Sequence, residues 1–386
     1  MDTEREEEGM QIVQSNDETG DNFNSIQVDG GRPSPDKDKS SIRYRVLLAI
    51  TYTSLFVGSL SSSLLSRFYF IHGGSSRWVS TWVQSAGFPL LLFPIYLPPL
   101  FNSNETLNRR RPFSHFTHKL LIITVGMGLI SGLSNFFFSW GISYLPLSTS
   151  ALLLSCQLAF NLIFSVLIVK QRIVFSNLNA VILITLSSIL LAIGSSHDRP
   201  KGVTQKQYFL GFFAILSAGL LFALFLPFSE MIYKKMVQCY EMVIEMQFIM
   251  GAVATVLAAV GMALDGGYRE MGKESKNSFD LGTVAYWLTV GFNVITWQMC
   301  FMGSAGLVYL TTALTGAICM TALLSMNVFG GVIAFGDEFG GAKVVSTVLC
   351  IWGFCSYVYG EYRKMVKEKG EKRNDQEMEI EMLGVD

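Results

Sequence analysis

The chain has 386 residues, 50% of them hydrophobic and only 15% charged, with a formal net charge of -1. So little charge cannot cover the surface of a soluble globule of this length, and the near-neutral balance supplies no basic field for a nucleic acid. The apolar runs are continuous, whereas barrel strands alternate polar and apolar residues, so the fold expected is an all-α, multi-pass membrane protein.

The first 42 residues are acidic, polar and poor in aliphatic side chains, the composition of a disordered tail. Ten apolar segments follow, at about 46–70, 78–100, 119–142, 147–169, 174–195, 208–233, 239–264, 281–303, 309–333 and 343–362. Each is long enough to cross a hydrocarbon layer of ~30 Å. Residues 43–196 would form a first five-helix half, 197–207 an outer connecting loop, 208–363 a second half and 364–386 a charged tail. Placing both termini in the cytosol puts Arg109, Arg110, Arg111, Lys170, Arg172, Lys234 and Lys235 inside, as the positive-inside rule requires. The sequon Asn104-Glu105-Thr106 then lies on a cytosolic loop and should carry no glycan.

The two halves repeat. Residues 143–175 align without gaps over 308–340, an offset of 165 that matches Tyr144 with Tyr309. Five spans per repeat is an odd number, so the second copy is inverted in the membrane, the architecture of many secondary transporters. The charges agree with the inversion: the first copy ends in Lys170 and Arg172, the second in Asp337 and Glu338.

Polar side chains inside apolar spans are the candidates for function, because an unpaired buried amide costs about 2 to 7 kcal/mol. Gln157 and Asn161 stand four residues apart on one helix face, and Asn293 and Trp297 share the same spacing. Trp82 and Gln84 lie within the second span, Asn135 in the third and Gln247 in the seventh. The acidic candidates are Glu245, and Glu230 four residues before Lys234. Gly128 and Gly132 read as helix packing, and the six cysteines as small apolar residues without metal spacing. No cofactor, metal or catalytic constellation is expected, and no oligomeric state follows. Rich in amides and aromatics and poor in fixed charge, the set suits a neutral, planar, hydrogen-bonding solute such as a nucleobase.

Several stretches carry a closer likeness. RWVSTWVQSAGFPLLLFPIY, YLPLSTSALLLSCQLAFNLIFSVLIVKQR, LFLPFSEMIYKK, VIEMQFIM and WGFCSYVYGEYRK, in that order, resemble the plant purine permease family of the drug/metabolite transporter superfamily over residues 43–363. The resemblance implies two inverted five-helix halves and proton-coupled uptake of adenine, cytokinins and related purines at the plasma membrane. By motif it points to Trp82, Gln84, Gln157, Asn161, Glu230, Glu245 and Gln247. Two positions depart: Ser134 stands before Asn135 where the family commonly has an acid, and Glu338 follows Asp337 where members more often have a basic residue. The rival readings are a transporter of the same superfamily for another organic solute, such as a nucleotide sugar, and a non-transporting membrane sensor. The lack of deep basic residues disfavours the first, and counterflow in proteoliposomes separates the second.

Overall fold

The computed structural model describes residues 35–96, 112–114, 116–169, 175–194, 202–337 and 339–382. Among these residues every regular element is helical. Seven segments are long and apolar enough to span a membrane: 44–71 within α1 (Pro35–Ile71), α4 (His118–Tyr144), 147–169 across α5 (Leu147–Leu154) and α6 (Gln157–Val169), α8 (Gln205–Met236), α9 (Tyr240–Asp265), α12 (Ala313–Phe335), and 341–360 within α13 (Gly341–Met382). The remaining helices are α2 (Arg77–Ser85), α3 (Leu92–Tyr96), α7 (Phe175–Gly194), α10 (Gly267–Lys273) and α11 (Gly282–Leu310).

Several boundaries differ from expectation. α1 starts at Pro35, inside the tail expected to be disordered; a proline in the first turn forfeits no internal hydrogen bond. The second expected span is not continuous. α2 stops at Ser85, and Gly87 and Pro89 turn the chain through a 3₁₀ stretch, Phe88–Leu91, before α3 resumes. The fourth expected span tightens at Ser155-Cys156, where Cys156 N–H bonds the Leu153 carbonyl and Leu158 N–H that of Ser155, three residues back instead of four. The Ser155 hydroxyl donates to the Leu152 carbonyl at 2.6 Å, a contact that bends helices. The connection expected at 265–281 contains α10 and a π turn, Glu274–Ser278. The sequon, Arg109 to Arg111, Lys170, Arg172 and Glu338 lie outside the described residues.

α4 packs against α8 and α9, α6 against α8, α5 against α12, and α7 against α13. Close approach of α4 to α9 depends on Gly128 and Gly132: a Cβ at Gly128 would lie 2.8 Å from Val253 Cβ, and one at Gly132 2.8 Å from Leu257 Cδ2. Gly128→Leu is therefore expected to destabilise the protein by about 1 to 3 kcal/mol, read as a lower melting temperature and lower abundance in membranes.

Three carboxylates tie elements together. Glu274, 2% exposed, accepts from Ser75 N–H (2.8 Å), Ser75 Oγ (2.9 Å), Ser76 N–H (2.9 Å), Tyr69 OH (2.7 Å) and Tyr286 OH (3.1 Å). It thereby binds the start of α2 to α1 and α11. Asp337 accepts from Ser148 N–H (3.0 Å) and Oγ (2.8 Å) in the first turn of α5. Glu230, ion-paired with Lys234, accepts from Ala313 N–H at 2.9 Å in the first turn of α12. Carboxylates suit both places, since first-turn N–H groups lack helical acceptors and carry partial positive charge.

Candidate functional site

The helices converge on a cavity with about 70 Å³ of space for water centres, room for several waters. α1 contributes Ser59, Ser62 and Ser63, α2 Gln84, α4 Ser134, Asn135 and Phe138, and α6 Gln157. Phe222 of α8, Trp297, Phe301 and Ser304 of α11, and Met320 of α12 complete the wall. No residue lining the cavity is charged.

Three carboxamides on this wall each hold a buried atom without a hydrogen-bond partner: Gln84 Oε1, Asn135 Nδ2 and Gln157 Nε2. Gln84 is anchored through its other end, where the two hydrogens of Nε2 are shared among the Ser80 carbonyl (3.2 Å), the Asn135 carbonyl (3.2 Å) and Ser139 Oγ (2.6 Å). Gln157 opens α6, directly after the tightened turn at 155–156. An interrupted helix exposing a polar residue to a central cavity is a recurrent way of building transporter sites.

Trp297 is held rigidly. Its Nε1 donates to Ser66 Oγ at 3.1 Å, its ring stacks on Phe301 (5.5 Å, 28°), and Phe138 meets it edge-on (5.5 Å, 78°). A fixed aromatic face suits a planar heterocycle. A smaller neighbouring cavity shares Gln84, Asn135 and Phe301 with the first and adds Gln247 and Gln298. It has about 20 Å³ of space for water centres, enough for one water.

The structure thus brings Gln84, Asn135, Gln157 and Trp297 together and sets the other candidates apart. Gln247 donates to the Phe301 carbonyl at 3.1 Å and lines the smaller cavity. Asn293 bonds Ser66 Oγ at 3.3 Å, behind Trp297. Trp82 packs against the core and does not line the cavity. Neither acid lines it: Glu230 has the contacts given above, and Glu245, 3% exposed, accepts from Phe113 N–H at 3.1 Å, where the backbone adopts φ 61°.

Asn161 separates from Gln157 for a specific reason. Pro227 lacks the N–H that would bond the Ala223 carbonyl one turn earlier in α8. Asn161 Nδ2 donates to that carbonyl at 3.3 Å, and its Oδ1 accepts from Ser165 Oγ at 3.3 Å. With 0% exposure, Asn161 repairs a proline-broken helix and does not reach the cavity.

Sequence reasoning missed the serines of α1. Ser59, Ser62, Ser63 and Ser66 recur at i, i+3, i+4 and i+7, a polar face that helical periodicity could have revealed. It also noted Ser134 only as a departure, whereas the structure sets it on the cavity wall with its hydroxyl donating to the Ala218 carbonyl at 3.1 Å. Two basic side chains, Arg67 and Lys343, are buried at helix ends, at 9% and 1% exposure, and neither lines the cavity.

An uncharged cavity walled by apolar, membrane-length helices is the kind of site a membrane transporter builds for a small neutral solute. A family model described as purine nucleobase transmembrane transport matches residues 46–367. "Probable purine permease 4" of Arabidopsis thaliana is 56% identical over 82% of this chain and 84% of its own length. "Purine permease 3" of the same plant is 34% identical, covering 87% of this chain and 95% of its own. The chain belongs to the purine permease family, a family of transporters and not of enzymes. A solved crystal structure, 15% identical, superposes with a TM-score of 0.50 over 81% of this chain and 98% of the other, a likeness of fold alone.

Proposed function

We propose that this protein imports neutral purine bases, adenine and N6-substituted adenines of the cytokinin type among them, with protons and by alternating access. The carrying observation is that three amides with unpartnered buried atoms and one immobilised tryptophan line a single uncharged cavity. A carboxamide pairs donor and acceptor as the edge of adenine does, and aromatic stacking adds ~1 to 3 kcal/mol per base. A nucleotide sugar would need basic groups that this wall lacks.

The mechanism proposed is a rocking of two inverted five-helix halves, with ten crossings made by the seven segments above together with α2–α3, α7 and α11. Two observations support it. Ser148 and Ala313, the positions matched by the 165-residue offset, are each the first-turn N–H held by a carboxylate. The pairs α5 with α12 and α7 with α13 join corresponding elements of the two halves. Both termini are placed in the cytosol, and the plasma membrane is the membrane proposed.

Glu245, a carboxylate 3% exposed within the membrane-spanning α9, is the proton carrier proposed. Proteoliposomes should accumulate labelled adenine under an inward proton gradient and lose it on adding a protonophore. Glu245→Gln is expected to keep adenine counterflow while removing gradient-driven accumulation; accumulation unchanged in that variant would reassign the proton.

A further inference from the structure

We infer that Gln84 reads the ligand as a hydrogen-bond acceptor of fixed polarity, so that the site selects heterocycles presenting an N–H at this wall. The inference rests on the purine reading above and deepens it. A carboxamide is ordinarily ambiguous, because rotating it by half a turn exchanges its donor and acceptor ends. At Gln84 the exchange is blocked. Nε2 faces the carbonyl oxygens of Ser80 and Asn135, each at 3.2 Å, and carbonyls only accept. The third partner agrees: Ser139 donates its proton to Ser80 Oγ at 3.1 Å, leaving its oxygen to accept from Nε2 at 2.6 Å. Turning the amide over would set Oε1 against two oxygens that have no hydrogen to give.

Oε1 is therefore the end left without a partner, on a cavity-lining side chain 1% exposed. Among the hydrogen bonds of the described residues none locks Asn135 or Gln157 in this way, so those two amides adapt to donor or acceptor while Gln84 does not. A ligand that places carbon or a lone pair against Gln84 leaves a buried acceptor unpaired, which corresponds to roughly 5- to 150-fold in affinity. The competing donor is a water in the smaller cavity that Gln84 also lines.

The test uses purified wild-type protein in nanodiscs, with ligand-induced thermal stabilisation and competition against labelled adenine as readouts. 1,3-Dimethylxanthine and its 1,3,7-trimethyl counterpart differ by one N–H replaced with N–CH₃. Benzimidazole and benzoxazole make the exchange from N–H to oxygen without added bulk. The N–H member of each pair is expected to bind at least about 5-fold better, and Gln84→Met, unbranched and unable to accept in the same way, should bring both ratios close to one. Equal binding within both wild-type pairs would show that water satisfies Oε1 and would overturn the role given to Gln84. Ratios that persist in Gln84→Met would assign the preference to shape and overturn it likewise. A wild-type protein that neither binds nor carries any purine would overturn the underlying purine reading itself.

Discussion

Gln157→Leu is expected to lower purine uptake tenfold or more with wild-type amounts of protein in the membrane, and Asn161→Leu to lower the amount of protein. The two amides stand one turn apart, yet their surroundings oppose them. Gln157 holds an unpartnered Nε2 on the cavity wall, so its loss removes the ligand contact proposed above and leaves no partner stranded among the described residues. Asn161 holds the Ala223 carbonyl that Pro227 cannot reach. Removing it strands a buried acceptor, at a cost of about 1 to 3 kcal/mol. Uptake normalised to surface abundance separates the two effects, and Pro227→Ala, which restores the missing donor to α8, should recover much of the abundance lost in Asn161→Leu. Normal uptake by Gln157→Leu would remove that residue from the site.

The largest loss of stability is expected at Glu274. Its carboxylate accepts five hydrogen bonds from Ser75, Ser76, Tyr69 and Tyr286 while 2% exposed. Glu274→Ala strands several of these donors at about 1 to 3 kcal/mol each, more than a marginally stable fold tolerates. The variant should be nearly absent from membranes. Glu274→Gln keeps one acceptor oxygen but sets an amide donor against groups that also donate, and should fall between. Near-normal abundance of Glu274→Ala, scored by fluorescence-detected size exclusion, would show that the cluster contributes little.

Gln157, Asn161 and Glu274 mark the limit of what was legible in the sequence. The helical membrane class and seven of the span positions followed from long uncharged runs, and the cavity-lining Gln84, Asn135 and Gln157 from the cost of a buried amide, which are local properties, while Trp297 followed from its spacing to Asn293. Glu274 was invisible, because it lies in a polar stretch that reads as surface loop and its donors come from residues 69, 75, 76 and 286. The division between Gln157 and Asn161 was equally hidden, since spacing places both on one face and only the neighbouring α8 decides which of them is satisfied. Pro227 was the available signal: a proline inside an apolar helix announces an orphaned carbonyl one turn earlier. The breaks in the second and fourth spans belong to the same class, with Gly87, Pro89 and Ser155 readable in retrospect as local interruptions.

The uncharged wall of the cavity bears on how the transporter couples to membrane voltage. A neutral base in the cavity, as proposed above, takes no charge through the field, and the uncharged wall moves none of its own. Under the proton coupling proposed above, each accompanying proton does, at about 2.3 kcal/mol per 100 mV. Under voltage clamp, the ratio of charge moved to base delivered should therefore count protons directly, without a correction for the binding site.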